Sequence, residues 1–289
     1  MKKIGIVSCD KWENKIIEDK LLQACLVSRG YDAEIISWED ELCDYSEYSA
    51  LILKSVWGYQ NKYREFKNWL MKLKENNVLL LNNPDIILNN IRKDKQFEIL
   101  TKNNINHIDT KFIYDIDELI KYISDNEEVV LKPIISGSGE KTIKVDSNNL
   151  TSEDLEMYRE VLNIEDNGIM VQPFIEEIKD GEFACIYIDG KNTHNMLRFP
   201  GVFANKQKPV LVNSVPEEVK ELANRVASIE DFKDYLYMRV DIVLSNNKPM
   251  VMEVELAEPD LLFKYISDEE IKKEGVEELS KQLIRRVRR

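Results

Sequence analysis

Tyr237-Met-Arg-Val-Asp-Ile-Val-Leu244, Ser245-Asn-Asn-Lys248 and Pro249-Met-Val-Met-Glu-Val-Glu-Leu256 read in succession as strand, turn and strand. Two apolar runs flanking a short polar segment predict a β-hairpin. Strand side chains alternate faces, so Arg239 shares a face with Asp241, and Glu253 with Glu255. A loop of about three or five residues centred on Asn247 sets Asp241 opposite Glu253 and Arg239 opposite Glu255. Directly opposed carboxylates repel by roughly a few tenths of a kcal/mol, so something positive must offset them. A solvent-facing strand on which Arg239 pairs an acid accounts for one of these carboxylates, not for Asp241, Glu253 and Glu255 together among apolar neighbours. Mg²⁺ takes oxygen ligands and is commonly shared between one or two carboxylates and substrate phosphates. The three acids are therefore the candidate metal ligands.

Upstream, Val129-Val-Leu-Lys132-Pro runs into Ile134-Ile-Ser136-Gly137-Ser138-Gly139-Glu-Lys141-Thr. A lysine leaving a buried strand needs an anionic partner, because an unpaired buried ammonium is costly. The Gly/Ser loop after it can offer backbone N–H groups to phosphate oxygens. It lacks the spacing of a Walker A motif, and a hairpin turn using glycine for conformational reasons explains it equally well. A third segment is Ile169-Met-Val-Gln172-Pro173-Phe174, with Gly181-Glu182-Phe183 beyond it. Pro173 breaks the strand and suggests a crossover between sub-domains. An adenine could be read there in an apolar slot lined by Gln172 and Phe174, with Glu182 accepting from ribose hydroxyls. Taken alone, Glu182 reads more readily as a surface strand residue than as a ribose ligand.

Further outward, the first residues alternate strand and helix signals. Ile4–Val7 is a short apolar run, and Asn14 to Gly30 has helical spacing closed by a glycine C-cap. Ala33–Trp38 and Ala50–Ser55 read as strands, Phe66–Leu73 as an amphipathic helix, Val78–Leu81 as a strand, and Asn82-Asn-Pro84 as a turn. This alternation predicts a small parallel α/β domain over residues 1–88. Residues 89–172 mix helices with short strands, and residues 173–289 hold a long connection through Pro200 and Pro209, a helix near Glu217–Ser228, the hairpin and a C-terminal helix. The fold class is thus α/β plus α+β.

Composition narrows the function. With 43% apolar and 32% charged residues among 289, the chain can bury a sizeable core. A net charge of −13 argues against nucleic acid as the main partner. The basic run Arg285 to Arg289 reads as a helix end complementing its dipole. No apolar run approaches the roughly 18 residues of a membrane span, and the start is too short in its apolar part for a signal peptide. Cys9, Cys25, Cys43 and Cys185 show no CxxC spacing, which favours reduced thiols and a cytoplasmic setting. His107 reads as a surface residue, and His194 as a candidate for the acceptor pocket.

In this order, the three segments resemble the ATP-grasp superfamily, and most of all its glutathione-synthetase-like branch that includes the cycloserine-biosynthesis ligase. Supporting motifs are Leu53-Lys-Ser-Val-Trp57-Gly-Tyr59 with Phe66-Lys-Asn-Trp69-Leu, Asn82-Asn-Pro84, Lys93-Asp94-Lys95, Gln172-Pro-Phe174 with Gly181-Glu182, Tyr237-Met-Arg239-Val-Asp241, and Met252-Glu253-Val-Glu255-Leu-Ala-Glu258-Pro259. The resemblance covers nearly the whole chain. It implies an ATP-grasp fold behind an N-terminal parallel domain, with residues 89–172 as the lid. It further implies an ATP- and Mg²⁺-dependent ligase that joins a small amino-acid-like carboxylate to an amine through an acyl phosphate. By the same resemblance Lys95 and Lys132 hold ATP phosphates under the loop Ser136–Gly139, Glu182 binds ribose, and Asp241, Glu253 and Glu255 hold Mg²⁺. Arg239, with Arg198, stabilises acyl-phosphate oxyanions. Two departures touch the substrate side. Gly58 replaces the acidic residue usual between Trp57 and Tyr59, and Phe199-Pro-Gly201-Val202-Phe203-Ala204 lacks the branch's Asp and Arg. A homodimer fits the family's habits. An ATP-grasp kinase that stops at phosphoryl transfer, or a non-catalytic nucleotide-binding protein, are the alternatives.

Overall fold

The structure, a computed structural model, describes residues 2–137, 139–199 and 207–288. Among these, no helix is long and apolar enough to cross a membrane.

A parallel sheet comes first. Strands β1 (Lys3–Ser8), β2 (Asp32–Ser37), β3 (Ala50–Leu53) and β4 (Leu80–Leu81) lie in the order β2-β1-β3-β4, with α1 (Ile17–Ser28), α2 (Tyr63–Glu75) and α3 (Pro84–Asn90) on the connections. Every pairing in this sheet is parallel, and β1, β3 and β4 are almost fully buried while the edge strand β2 alternates, as expected of a sheet covered on both faces at its centre. Asn82-Asn-Pro84, expected to be a simple turn, in fact opens a helix. The Asn83 side chain accepts from the backbone of Ile86, and Pro84 takes the first helical position, where its missing N–H costs nothing.

The second sheet is antiparallel. Helix α4 (Lys93–Lys102) leads to β5 (Lys111–Ile113), α5 (Ile116–Ser124), β6 (Val129–Pro133), β7 (Ile143–Val145), α6 (Ser152–Leu162) and β8 (Ile169–Pro173), with strand order β5-β8-β6-β7. Leu119, Ile123, Tyr158 and Val161 of the two helices pack on Leu131, Ile169 and Val171. Helix α6 went unread in the sequence, although Thr151 and Asp154 form a reciprocal capping box at its start.

The third sheet holds β9 (Glu182–Ile188), β10 (Lys191–Arg198), β11 (Val210–Leu211), α7 (Glu217–Ala227), β12 (Tyr237–Ser245), β13 (Lys248–Glu255) and α8 (Glu269–Val287), with strand order β11-β10-β9-β12-β13. Lys191–Arg198, read as part of a long connection, is a full strand. It returns from β9 through Asp189 and Gly190, both with positive φ. The chain leaves the second sheet at Pro173 and enters the third at Glu182, so the proline marks a crossover. Helix α8 packs Leu279 and Leu283 against Leu22 and Leu26 of α1, joining the end of the chain to its beginning. The basic run serves this joint: Arg286 pairs with Asp189 at 2.6 Å, and Arg288 donates to the Tyr31 hydroxyl at 3.0 Å. Arg289 lies outside the described residues.

Candidate active site

The hairpin's pairing is as read from the sequence, but its turn is not. Ser245 faces Lys248 across a two-residue loop, with Asn246 and Asn247 both at positive φ, the asparagine version of a tight hairpin turn. That register alone would misalign the acids. A β-bulge between Asp241 and Ile242 inserts Met252 as an extra residue and restores Asp241↔Glu253 and Arg239↔Glu255.

β13 is the outer strand of its sheet, and an open edge would leave its backbone groups unpaired. Buried amide side chains close it. Gln96 accepts from Val254 N at 2.8 Å and donates to Val254 O at 2.6 Å, while Asn90 accepts from Leu256 N at 2.8 Å and donates to Val254 O at 2.7 Å. Asn82 donates to Leu256 O at 2.6 Å and to Tyr237 O at 2.9 Å. Helices α3 and α4 and the segment before them thereby hold the strand that carries Glu253 and Glu255. Of these amides only Asn82 stood in a motif read from the sequence, and there as part of a turn rather than as a partner of a strand edge. A run of asparagines and a glutamine beside apolar helical positions is ordinary surface chemistry until the neighbouring edge is known.

The acids meet cations from several elements. Arg239, 1% exposed, donates from Nε to Asp241 Oδ1 at 2.8 Å and from Nη2 to Asp241 Oδ2 at 2.9 Å, and also reaches Glu255 Oε1. Arg198 on β10 donates to Glu182 Oε1 at 2.8 Å and to Asp241 Oδ2 at 3.0 Å. Lys93 at the start of α4 lies 3.0 Å from Glu253 Oε1 and donates to the Ser136 carbonyl at 3.0 Å. Lys132 is half-buried on β6, with no carboxylate at ion-pair distance among the described residues.

These placements set the ionisation. Burial alone would raise the Glu253 carboxyl, but Lys93 and Lys132 outweigh it and hold the group down at about 2. At Glu255 burial outweighs Arg239, with Glu253 and Asp241 adding to it, and the carboxyl rises to about 7. Burial also raises Glu182 against the pull of Arg198, and it lowers the Lys132 ammonium.

All these groups line one cavity of about 450 Å³ between the second and third sheets, within the range of small-molecule sites. Lys132, Ser136, Gly137, Gly139, Gln172, Phe174, Glu182, Arg198, Arg239, Asp241, Glu253 and Glu255, all named from the sequence, border it. Ser138 and Pro200–Ala204 lie outside the described residues. Lys95 is a correction. It points to solvent with 48% of its side chain exposed and pairs with Glu98 one helical turn on, because it sits two positions round the helix from Lys93. Lys93, 6% exposed, borders the cavity instead. His194 is buried and does not line the cavity. Its Nε2 meets Leu261 O at 2.8 Å, and burial lowers its pKa to about 4. His107 is half-buried against Thr101 and Ile108 O.

Among the described residues no three His, Cys, Asp or Glu side chains converge at metal-binding spacing, and Glu182, Asp241, Glu253 and Glu255 each pair with a cation instead. The donor chemistry nevertheless suits a hard cation. Glu253 and Glu255 are oxygen donors whose side chains remain 26% and 28% exposed toward the cavity. Asp241, 1% exposed, already accepts from guanidinium groups at both oxygens.

Residues 4–82 match the N-terminal domain of D-cycloserine synthetase DcsG, and residues 98–242 match the ATP-grasp domain of prokaryotic glutathione synthetase. The cycloserine biosynthesis protein DcsG of Streptomyces lavendulae is 23% identical over 270 residues, covering 86% of this chain and 88% of that protein. The crystal structure of D-cycloserine synthetase DcsG superposes with a TM-score of 0.81 at 18% identity over 99% of both chains. D-alanine–D-alanine ligase from Bacillus anthracis complexed with ATP superposes at 0.69 and 18% identity, over 99% of this chain and 97% of that one. With half its length matched by one family and the site's charges arranged around a single cavity, the chain belongs to the prokaryotic glutathione synthetase family of ATP-grasp proteins and is an ATP-dependent carboxylate–amine ligase.

Proposed function

We propose that this cavity joins a small-molecule carboxylate to an amine by way of an acyl phosphate, with Mg²⁺ accompanying ATP. The observation that carries the reading is the opposition of Lys132, unpaired on the second sheet, to the acid–arginine array of the hairpin on the third. Lys132 and Lys93 take the ATP phosphates, and Gln172 and Phe174 border the adenine end. Glu182 keeps its place beside the ribose through Arg198. Glu253 and Glu255, with Asp241 beside them, would hold the metal, which supplies charge neutralisation at the phosphates.

In the first step a carboxylate oxygen bonds to the γ-phosphorus and the bridging P–O bond breaks, releasing ADP. Next, the amine nitrogen bonds to the acyl carbon, the C–O bond to phosphate breaks, and the nitrogen gives up a proton. This chain's part is positioning and charge. Arg239 and Arg198 face the developing oxyanions, and no nucleophilic side chain is needed. Ser136, Gly137, Gly139 and Thr142, which border the cavity, cover the phosphates and keep water from the acyl phosphate.

Calorimetry of ATP binding with and without Mg²⁺, on the wild type and on Glu253→Gln, tests this. Mg²⁺-dependent binding that the substitution removes is the expected result. Metal-independent binding, equal in both proteins, would overturn the assigned carboxylates.

A further inference from the structure

The ionic pairing inside the cavity leaves a remainder. Glu182 and Asp241 are taken by Arg198, Asp241 and Glu255 by Arg239, Glu253 by Lys93, and Asp260 by Lys264 at 2.7 Å. Of the charged groups lining the cavity, two have no ion-pair partner among the described residues: the Lys132 ammonium and the Glu258 carboxylate. Lys132 belongs to the phosphates in the reading above. Glu258 has no such claim.

Its surroundings are specific. Glu258 follows β13, and its backbone carbonyl accepts from Trp57 Nε1 at 3.3 Å. Its carboxyl interacts with the hydroxyl of Tyr59, a side chain only 3% exposed. Trp57 and Tyr59 come from the N-terminal parallel domain, so this end of the cavity is formed by two separate parts of the chain. Burial, with Glu255 nearby, lifts the Glu258 carboxyl to about 8, the condition of a carboxylate that lacks a cation. Lys93, the cation that acts on the Glu258 carboxyl, is paired with Glu253, Lys264 with Asp260 and Arg239 with Glu255, which leaves none of these three free for a second anion.

We propose that Glu258, whose backbone carbonyl takes the Trp57 indole N–H and whose carboxyl meets the Tyr59 hydroxyl, is the subsite that receives the acceptor's primary ammonium group. The inference rests on the ligase reading. Two aromatic side chains beside one unpaired carboxylate suit an ammonium, whose charge the carboxylate neutralises and whose carbon chain the rings cover. The nitrogen is thereby brought to the side of the cavity where Glu255 and Arg239 face the activated carboxylate. The same arrangement turns away an anion.

Ligand-observed NMR with saturation transfer from the protein tests this, using n-propylammonium as the probe and propionate as its anionic counterpart. At about pH 9 the carboxyl is ionised and a primary amine is still mostly ammonium. The expected result is saturable transfer to n-propylammonium in the wild type, about tenfold weaker affinity in Glu258→Gln, partial recovery in Glu258→Asp, and none to propionate. Equal binding in wild type and Glu258→Gln, no binding of n-propylammonium to the wild type, or a preference for propionate would each overturn the proposal. Mg²⁺-dependent ATP binding, measured on the same proteins, is expected to be unchanged in Glu258→Gln. Its absence from the wild type would instead count against the ligase reading, so the two failures are distinguishable.

Discussion

Two regions face each other across the cavity and are held in opposite ways. The β12–β13 hairpin is over-determined: a tight asparagine turn, a bulge, and the amides of Asn82, Asn90 and Gln96 all fix the same register. The Gly/Ser loop after β6 is anchored at its start by Lys93 on Ser136 O, and its described residues farther on are held by exposed contacts from Gln60 and Asn61 to Glu140 and by the Tyr158 hydroxyl on Lys141 O. In the proposed reading the hairpin's carboxylates share a metal and cannot be allowed to drift, because charges in a low-dielectric site act strongly over short distances. A loop that covers ATP must open to admit it, so strong contacts there would cost turnover.

The contrast can be broken at several points. Glu253→Gln should have the largest effect, removing Mg²⁺-dependent ATP binding and lowering turnover by at least about a hundredfold, as read by calorimetry and by ADP release. Acid should act next on the rigid side through His194. Its pKa of about 4 in the folded protein lies below the ordinary 6.5, so the unfolded chain takes the proton first. The stability this neutral histidine contributes is present in full above pH 6.5 and is lost as pH falls toward 4, by up to about 3 kcal/mol. Urea unfolding across that range should show the loss in wild type, and His194→Gln should flatten the difference.

Gln96→Ala should cost about 1–3 kcal/mol, since it strands the N–H of Val254 on a buried edge while Asn90 still donates to its C=O. A shift in the urea midpoint of under half that amount would show that water closes the edge as well as the amide does. Glu140→Ala should be the smallest, within about 0.5 kcal/mol in stability because its partners are exposed, with a change in KM for ATP of about threefold or less. A large loss of stability from this last change would end the contrast between the two regions.

Much of the site was legible because it lies on strands. Alternation puts Arg239 with Asp241 and Glu253 with Glu255 whatever the rest of the chain does. Lys132 and the Gly/Ser loop were legible for a related reason, a charged residue at the end of an apolar strand. The helix lysines were not. Lys93 and Lys95 carry the same side chain two residues apart, and only the packing of α4 decides which one is buried. His194 likewise stands near Arg198 in the sequence and shares its face of β10, yet it lies farther along the strand, buried against the Leu261 carbonyl rather than in the cavity.

What the sequence by itself determined is therefore periodic and local: three successive blocks of secondary structure, the acid–arginine hairpin, and the lysine strand with its loop. The tertiary structure alone decided the rest. It chose Lys93 over Lys95, replaced the expected odd-numbered turn with a two-residue turn and a compensating bulge, closed the β13 edge with distant amides, and left Glu258 as the unpaired carboxylate beside Trp57 and Tyr59. The physical reason is the same each time. Alternation along a strand is a property of neighbouring residues, whereas burial, pairing and the loss of a partner depend on groups that the chain brings together from far apart.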